Sequence, residues 1–465
     1  MTLFGSPYPA EESKRLRQSG SADYSSIFTS WSELQWTIEI YMGMFFKMDV
    51  ILDTASDWLL VEGAACTNCN GNTYDIGPSL DDGQALLVSK PGETLERSYG
   101  TMNFVGKEYT DTVCVLFSAC VQNFEFFLIE YQSGLNEPMD GILGLARDNP
   151  AYLDPSSGNQ TGPLFIEKLW KDGIISDPIF ALHMDSKSGD SWIDLGGSDL
   201  STVANGEELV QLGMIEKDFF WAQYCQAVAI GDRLQANSYR WGPIDDFELE
   251  ITDGSIYSIF DSGSTSLMIS KLYYGSLINE IFARMGNVTW KYASDFRVVT
   301  ECDAEYPSLF FMFENNWIEV RPENYVYREQ DDLMCTFLIM PVDSPTNMLG
   351  MPLLMDYYTV FDQNQDRIGW APHKDSNKAP LSRAALPPED QYLEAFTGEG
   401  VMPEQVHLPS QIIAWVFSLL FLYAGFSFWS KNMKPTWKGM LSAIAYQITV
   451  ALLVVAMLVV VAFVM

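Results

Sequence analysis

Two short segments of the sequence each place an aspartate next to small hydroxyl residues. Asp53-Thr54-Ala55-Ser56 follows the apolar run Val50-Ile51-Leu52. Asp261-Ser262-Gly263-Ser264 follows the similar run Ser258-Ile259-Phe260. Two carboxyl groups held close together cannot both ionise easily, so a pair of this kind shares one proton. The ionised member could take a proton from a water molecule while the protonated member donates one to the group that the water attacks. This chemistry requires no metal ion and no other cofactor.

An internal repeat gives these two aspartates equivalent positions in two similar halves of the chain. An apolar-apolar-glycine element follows each of them, with Gly144 standing 91 residues after Asp53 and Gly350 standing 89 residues after Asp261. A single aspartate after a buried strand often caps a turn with its own carboxylate, so either segment alone has an ordinary structural explanation. The duplication favours a paired catalytic site instead, with each half supplying one carboxylate on a tight turn.

The composition restricts the chemistry further. The 465 residues include 27 Lys and Arg but 61 Asp and Glu, a net charge of -34. This balance argues against a nucleic-acid partner, because nucleic-acid binding requires a basic surface. The three histidines, His183, His373 and His407, provide little material for a histidine-based metal site or a serine-histidine triad. We therefore expect carboxylate chemistry, with no metal ion and no cofactor.

The central part of the chain, from about residue 30 to about residue 370, has the pattern of short β-strands. Runs rich in Val, Ile, Phe, Tyr and Trp alternate with turns that contain Gly, Asn, Asp and Pro. The predicted strands include Trp36–Met42, Ser191–Leu195 and Leu309–Phe313, and the best helix candidate is 272–284. The sequence therefore predicts a large all-β domain.

Two apolar runs near the C-terminus, 411–429 and 440–465, are each long enough to cross a bilayer core of roughly 30 Å as a helix. The short loop between them holds three lysines, and the positive-inside rule assigns such a loop to the cytosol. Residues 1–409, with a net charge of -37, would then face a lumen or the outside. We expect a membrane-tethered protein of an endomembrane, a lysosome or vacuole, or the cell surface.

The N-terminus does not supply the export signal that this topology needs. Residues 1–24 contain no continuous apolar stretch and do not have the pattern of a signal peptide. The true start could lie upstream, the chain could be a processed form, or the acidic domain could be the cytosolic head of a tail-anchored protein. Glycosylation sequons at Asn159 and Asn287, together with seven cysteines, favour export.

The cysteines include one closely spaced pair. Cys66 and Cys69 could form half of a zinc site or a redox pair, but no second pair and no nearby histidine completes a zinc set. A small disulfide loop is the preferred interpretation. Cys302 and Cys335 flank strand-like segments and suit a structural disulfide, and the odd count leaves at least one cysteine without an intramolecular partner.

Because of these motifs, residues 35–373 resemble a pepsin-type eukaryotic aspartic protease, and the chain is similar to the membrane-tethered members of that family. Besides the two aspartate segments, the matching motifs are Asp140-Gly-Ile-Leu-Gly-Leu145, Ser191-Trp-Ile-Asp-Leu-Gly-Gly197, Tyr357-Tyr-Thr-Val-Phe-Asp362 and Ile368-Gly-Trp-Ala-Pro372. The resemblance implies an all-β, bilobal pepsin-like fold, to which the apolar runs add C-terminal transmembrane helices. The expected segments are an N-terminal segment 1–34, an N-terminal lobe 35–205, a C-terminal lobe 206–373, a flexible proline-rich stalk 374–409, and transmembrane helices 411–429 and 440–465.

The resemblance also implies a function and a set of site residues. The protein would be a monomeric endopeptidase that hydrolyses peptides or proteins with a water activated between Asp53 and Asp261. A flap, a hairpin that closes over substrate, is implied at Tyr99-Gly100-Thr101. Cys302 and Cys335 match the disulfide of the second lobe. Support for the aspartate pair is implied for Thr54, Ser56, Ser262, Gly263 and Ser264, with the hydroxyls of the first and last serines on the outer carboxylate oxygens.

Three departures from the family pattern define an alternative function. Ala55 stands where the family has glycine, and its methyl group could shift Asp53, where a displacement of about 1 Å can cost about a hundredfold in rate. The family's tryptophan that supports the flap tyrosine aligns with Leu60, although Trp58 lies on the same strand face and could replace it. No inhibitory propeptide is recognisable. The alternative is a catalytically impaired, pepsin-like protein that only binds peptides.

Overall fold

The computed structural model describes most of the chain between Ala22 and Ala395. Contacts divide the chain into two units, Met1–Val401 and Met402–Met465, and every described residue belongs to the first. The described residues are 22–30, 36–43, 45–76, 86–87, 93–99, 102–116, 118–134, 139–147, 162–186, 191–204, 207–216, 218–231, 238–243, 254–293, 295–328, 334–378 and 380–395.

Strands dominate the described part of the chain, and the helices are short. The helices are α1 Phe165–Lys171, α2 Lys271–Ala283, α3 Pro322–Tyr325 and α4 Met351–Leu354. The strands of the first half are β1 Tyr24–Ser30, β2 Trp36–Met42, β3 Phe46–Asp53, β4 Leu59–Thr67, β5 Leu86–Leu87, β6 Leu95–Tyr99, β7 Met102–Leu116, β8 Ala119–Ser133, β9 Gly141–Gly144, β10 Ile179–His183 and β11 Ser191–Leu195. Those of the second half are β12 Val210–Gly213, β13 Ala222–Cys225, β14 Ala227–Ile230, β15 Ser238–Trp241, β16 Ile256–Phe260, β17 Leu267–Ser270, β18 Trp290–Tyr292, β19 Val298–Glu301, β20 Leu309–Phe313, β21 Asn316–Val320, β22 Val326–Tyr327, β23 Met334–Phe337, β24 Ile339–Val342, β25 Asn347–Leu349, β26 Tyr357–Asp362, β27 Arg367–Pro372, β28 Ser382–Arg383 and β29 Tyr392–Leu393.

The described strands form four sheets, and the largest contains strands from both halves of the chain. Its order is β12-β27-β26-β10-β11-β1-β2-β3-β9-β4-β8-β7-β5, with β6 paired to β7. The halves meet where β10 pairs antiparallel with β26, with Phe180 opposite Phe361. The other sheets are β13-β16-β25-β17-β24, β28-β21-β20-β14-β15-β29 and β18-β19-β23-β22. A mostly-β protein of several sheets is consistent with the predicted bilobal fold.

The predicted elements agree closely with the observed ones. The strands predicted at Trp36–Met42, Ser191–Leu195 and Leu309–Phe313 are β2, β11 and β20, and the predicted helix is α2, displaced by one residue. The N-terminal segment expected to precede the domain instead contributes β1, which lies between β11 and β2.

The prediction of a flexible stalk over 374–409 is wrong for the part that the structure describes. β28 pairs with β21, and β29 pairs in parallel with β15. Leu393 is buried, and the N–H of Gly242 donates to its carbonyl at 2.9 Å. The proline-rich composition is that of a loop, but buried apolar residues and backbone hydrogen bonds attach this loop to the domain.

The two apolar runs predicted to cross a membrane lie outside the described residues. Within the described part, no helix is long and apolar enough to cross a bilayer.

Three disulfides join six of the cysteines. The structure contains the expected Cys66–Cys69 and Cys302–Cys335 bonds, and a third bond, Cys114–Cys120, closes the hairpin of β7 and β8. The register of this hairpin places Cys114 directly opposite Cys120, which spacing alone did not indicate. Cys225 is free and buried, and it is the unpaired cysteine that the odd count required.

Candidate active site

Each aspartate lies at the end of a strand that runs parallel to the strand of the repeated glycine. β3 pairs with β9 so that Asp53 lies opposite Gly144. β16 pairs in parallel with β25, and the last pair is Phe260 with Leu349. Asp261 and Gly350 are the next residues of the two segments. A Cβ atom at Gly144 would stand 2.4 Å from the carbonyl carbon of Asp57, and one at Gly350 would stand 2.4 Å from a backbone oxygen of the second loop. The repeated glycines therefore allow a second strand to lie directly behind each aspartate loop.

Reciprocal hydrogen bonds join the two loops. The Thr54 hydroxyl donates to the carbonyl of Phe260 at 2.8 Å, and the Ser262 hydroxyl donates to the carbonyl of Leu52 at 2.7 Å. Each hydroxyl also accepts from the backbone N–H of the other residue, at 2.9 Å for Thr54 Oγ1 and 3.1 Å for Ser262 Oγ. These four bonds are buried and hold the two halves of the chain together at this point.

The carboxyl groups of Asp53 and Asp261 are buried and lie close enough to interact with each other. Burial raises the pKa of both groups, and the negative charge of Asp53 raises the pKa of Asp261 further. The Ser56 hydroxyl donates to Asp53 Oδ2 at 2.6 Å and opposes this increase for Asp53. The pair is therefore arranged to retain one proton between its two members.

The backbone supports both carboxyl groups in the same way, whereas the serine hydroxyls do not. The N–H of Ala55 donates to Asp53 Oδ1 at 2.9 Å, and the N–H of Gly263 donates to Asp261 Oδ1 at 2.8 Å. The methyl group of Ala55 thus leaves this hydrogen bond intact. The Ser264 hydroxyl, expected on the outer oxygen of its aspartate, donates instead to the carbonyl of Ser266 at 3.3 Å.

The candidate flap residue Tyr99 ends β6 and packs on buried apolar side chains. Its ring centroid lies 5.9 Å from that of Phe104, on a buried apolar cluster that contains both Trp58 and Leu60. Burial raises the pKa of Tyr99, and the negative charges of Asp57 and Asp53 raise it further. The other two flap residues, Gly100 and Thr101, lie outside the described residues.

A polar network behind the first loop was not predicted from the sequence. Asp140 accepts from the N–H of Asp49 at 2.7 Å and from the N–H of Asn72 at 2.6 Å. Glu62, which is fully buried, accepts from the N–H of Gly71 at 2.9 Å. Burial raises the pKa of Glu62 to about 7. The available signal was a single acidic residue inside the apolar run of β4, because an isolated buried charge must have partners.

One group among the described residues has metal-ligand side chains in proximity. His183, Asp185 and His373 are buried, with one donor atom of each within 4.8 Å of the others. In His373, Nδ1 accepts from the N–H of Asp375 at 3.3 Å, and Nε2 faces Asp356 Oδ1 at 3.6 Å. Protein groups therefore face both ring nitrogens of His373, and we assign no metal to this group.

The structure describes one of the two predicted glycosylation sites. Asn287 is exposed in the turn after α2, whereas Asn159 lies outside the described residues. Arg97, which was not among the predicted residues, stacks on Trp58 and lies two residues before Tyr99 on β6. The alternation of β6 could have identified it, since residues two apart on a strand share a face.

Comparison with known proteins places most of the described chain in one family. A family model for eukaryotic aspartyl proteases matches residues 35–373. Gastricsin of Mus musculus is 27% identical over 336 residues, which cover 70% of this chain and 76% of that protein. Pepsin A of Sus scrofa is 25% identical over 334 residues, covering 70% and 77%. Gastricsin of Homo sapiens is 24% identical over 335 residues, covering 69% and 77%.

Proposed function

This chain belongs to the eukaryotic aspartyl protease family and is an aspartic-type endopeptidase, and from this premise we propose that Asp53 and Asp261 are its catalytic pair. The observation that carries the proposal is the reciprocal hydrogen bonding of Thr54 and Ser262, which holds together the two loops that carry the buried carboxyl groups. A carboxyl pair that holds one proton supplies a general base and a general acid at the same place. One chain contains both carboxyl groups, so the proposed enzyme is active as a monomer.

The proposed reaction is the hydrolysis of a peptide bond by an activated water. The ionised member of the pair takes a proton from the water, and the water oxygen attacks the carbonyl carbon of the peptide. The protonated member donates to the carbonyl oxygen, and a tetrahedral diol forms. In the collapse of the diol, the carboxyl group that took the water proton donates it to the amide nitrogen, and the other carboxylate takes a proton from a diol hydroxyl. The C–N bond breaks, and the amine and the new carboxylic acid are released. The titration belongs to the pair, so neither Asp53 nor Asp261 is assigned one of these roles alone. The hairpin of Tyr99 covers the site and excludes bulk water.

The test is hydrolysis of a quenched fluorescent peptide library between about pH 3 and pH 7. We expect cleavage that is inhibited by a statine-type compound and falls by about a thousandfold in Asp261→Asn. Asp303→Asn is the matched control, because the Asp303 side chain is 96% exposed and lies outside the site. Activity must fall as pH rises through the raised pKa of the pair, because the shared proton is then lost.

Two outcomes would contradict the proposal. Activity that survives Asp261→Asn would exclude the paired mechanism. Inhibitor binding without cleavage at any pH would favour the alternative of an impaired peptide-binding protein, with Ala55 as the first position to examine. The retained hydrogen bond between the Ala55 N–H and Asp53 Oδ1 supports the active enzyme.

We further propose that the enzyme is tethered to a membrane with its catalytic domain in a lumen or outside the cell. The support is in the sequence: two apolar runs, a loop of three lysines between them, and a net charge of -37 over residues 1–409. An acidic compartment would suit this charge, because carboxylate protonation at low pH reduces the repulsion between acidic groups.

A further inference from the structure

Arg97 is a half-buried cation in the strand that ends at Tyr99. Along β6, Leu95, Arg97 and Tyr99 are half-buried, whereas the two residues between them are exposed. Alternate side chains of a strand share a face, so Arg97 lies on the same face as Tyr99. The Arg97 side chain is only 13% exposed. A charged residue therefore occupies the middle of a strand face that otherwise packs on apolar side chains.

Three side chains from different parts of the N-terminal half hold the Arg97 guanidinium. Its central carbon lies 3.8 Å from the ring centroid of Trp58 and 4.9 Å from that of Phe127. Its Nη2 donates to Glu108 Oε1 at 2.5 Å, and the Glu108 side chain is 9% exposed. The electrostatic attraction in cation–π contacts and in ion pairs increases when water is excluded. The contacts connect β6 to β7, to β8 and to the residue that precedes β4.

Trp58 links this cluster to the first aspartate loop. It follows Asp57 in the turn after Asp53, and its carbonyl accepts from the N–H of Gly144 at 3.0 Å. On the other side, Arg97 lies opposite Phe104 in the hairpin register, and the Phe104 ring contacts that of Tyr99. The contact between Arg97 and Trp58 thus connects the flap tyrosine to the loop that carries Asp53.

We propose that Arg97, held by Trp58, Phe127 and Glu108, is a positioning residue that keeps the Tyr99 hairpin in its closing orientation over the aspartate pair. This inference rests on the proposed function. Arg97 touches none of the reacting atoms, and its effect passes through the hairpin. Without it, the hairpin occupies orientations that do not close over substrate, and the apparent affinity falls in proportion to the remaining competent fraction.

The first experiment compares Arg97→Met with the unsubstituted chain in the peptide-hydrolysis assay. If a tenth of the hairpins remain competent, KM rises about tenfold while kcat changes little, and the inhibition constant of a statine-type compound rises in the same proportion. Arg97→Lys keeps a charge opposite Glu108 but lacks the planar guanidinium, so it should restore part of the affinity. Arg328→Met is the matched control, because the Arg328 side chain is 52% exposed and pairs with Asp303 away from the hairpin.

A double-mutant cycle separates positioning from general destabilisation. Glu108→Gln alone should also raise KM, and the combined Arg97→Met and Glu108→Gln variant should be less than additive, because both remove the same restraint. An unchanged KM in a folded Arg97→Met variant overturns the inference, as does a change confined to Tm or kcat. If Arg97→Met does not fold, Arg97→Lys and Glu108→Gln are judged by the same criterion. An unsubstituted chain that neither cleaves peptides nor binds the inhibitor refutes the proposed function itself, and the inference falls with it.

Discussion

At the scale of single residues, the alanine in the first motif and the glycine in the second are not interchangeable. Ala55 is half-buried, and its N–H supports Asp53. At the equivalent position of the second loop, a Cβ on Gly263 would stand 2.8 Å from Asp53 Cγ. The carboxyl group of Asp53 therefore already occupies the space that a methyl group at position 263 would need.

This asymmetry predicts a large effect on activity for one substitution and a small effect for the other. Gly263→Ala should reduce kcat/KM by about a hundredfold, because it displaces Asp53. Ala55→Gly should change kcat/KM by much less, because the N–H that supports Asp53 is kept. Peptide hydrolysis and Tm measured on both variants check this. A hundredfold gain in Ala55→Gly would instead mean that the natural alanine impairs the enzyme.

The serine hydroxyls of the two motifs also have different partners, which predicts different pH profiles. The Ser56 hydroxyl donates a hydrogen bond that favours the ionised form of Asp53, so its removal should raise the pKa at which the pair first ionises. The acid limb of kcat/KM should therefore move up by about one pH unit in Ser56→Ala. Ser264→Ala is the matched control, since its hydroxyl bonds a carbonyl, and should leave this limb in place. Equal shifts in both variants would contradict the assignment.

Sequence patterns predicted two equivalent aspartate loops but not every contact around them. The duplicated motifs predicted Asp53 and Asp261 because strand, turn and glycine recur in the same order. The same repeat predicts that the Ser56 and Ser264 hydroxyls each bond to the outer carboxylate oxygen of their aspartate, and the structure shows this only for Ser56. A hydroxyl rotates freely and donates to the best acceptor within reach, and the backbone of the loop decides which acceptor that is.

At the scale of elements, β4 contains a buried acid whose protonation should couple its stability to pH. The pKa of Glu62 is raised from 4.5 to about 7 by burial. As pH rises from 4.5 to 7, the unfolded chain loses this proton while the folded chain keeps it, so the free energy of unfolding decreases. The shift corresponds to about 3 kcal/mol. The same strand leads into the Cys66–Cys69 loop, so that loop should become less stable together with β4.

Glu62→Gln tests this coupling, because an amide of the same shape has no proton to lose. Urea unfolding at pH 4.5 and pH 7 should show that the glutamine variant loses about 3 kcal/mol less than the natural chain over this interval. Glu305→Gln, at an exposed position, should behave like the natural chain. Equal pH dependence in Glu62→Gln and the natural chain would show that Glu62 is ionised in the folded state.

Local periodicity predicted the central elements well, because strands such as β2 and β20 bury apolar residues whatever their neighbours. It failed where pairing partners decide the structure. β1 is held by β11 as well as by its neighbour β2, and β29 is held by the parallel strand β15. β11 and β15 are distant in sequence from the strands that they hold. Short segments with few apolar residues depend on such partners, so their own composition indicates a loop.

At the scale of the whole molecule, the charge separates the chain into two parts. Residues 1–409 have a net charge of -37, whereas residues 410–465 have three lysines and no acid. At 1.5 Å per residue, the 19 residues of 411–429 would form a helix of roughly 28 Å, close to the thickness of a bilayer core. Hydropathy and charge alone supply this prediction, and packing in the catalytic domain adds nothing to it.

The predicted orientation can be tested through Asn287, whose sequon lies in an exposed turn of the described domain. If the domain is lumenal, the full chain made in cells should carry an N-linked glycan there, and enzymatic deglycosylation should increase its gel mobility. Asn287→Gln and Thr289→Ala should each abolish glycosylation at Asn287, because either substitution destroys the sequon.

Membrane insertion is tested separately. The full chain should remain with alkali-washed membranes, and a chain ending at residue 409 should not. A membrane-bound chain without a glycan at Asn287 would instead favour a cytosolic domain above a tail anchor, since the sequon is then never exposed to the lumenal glycosylation enzymes.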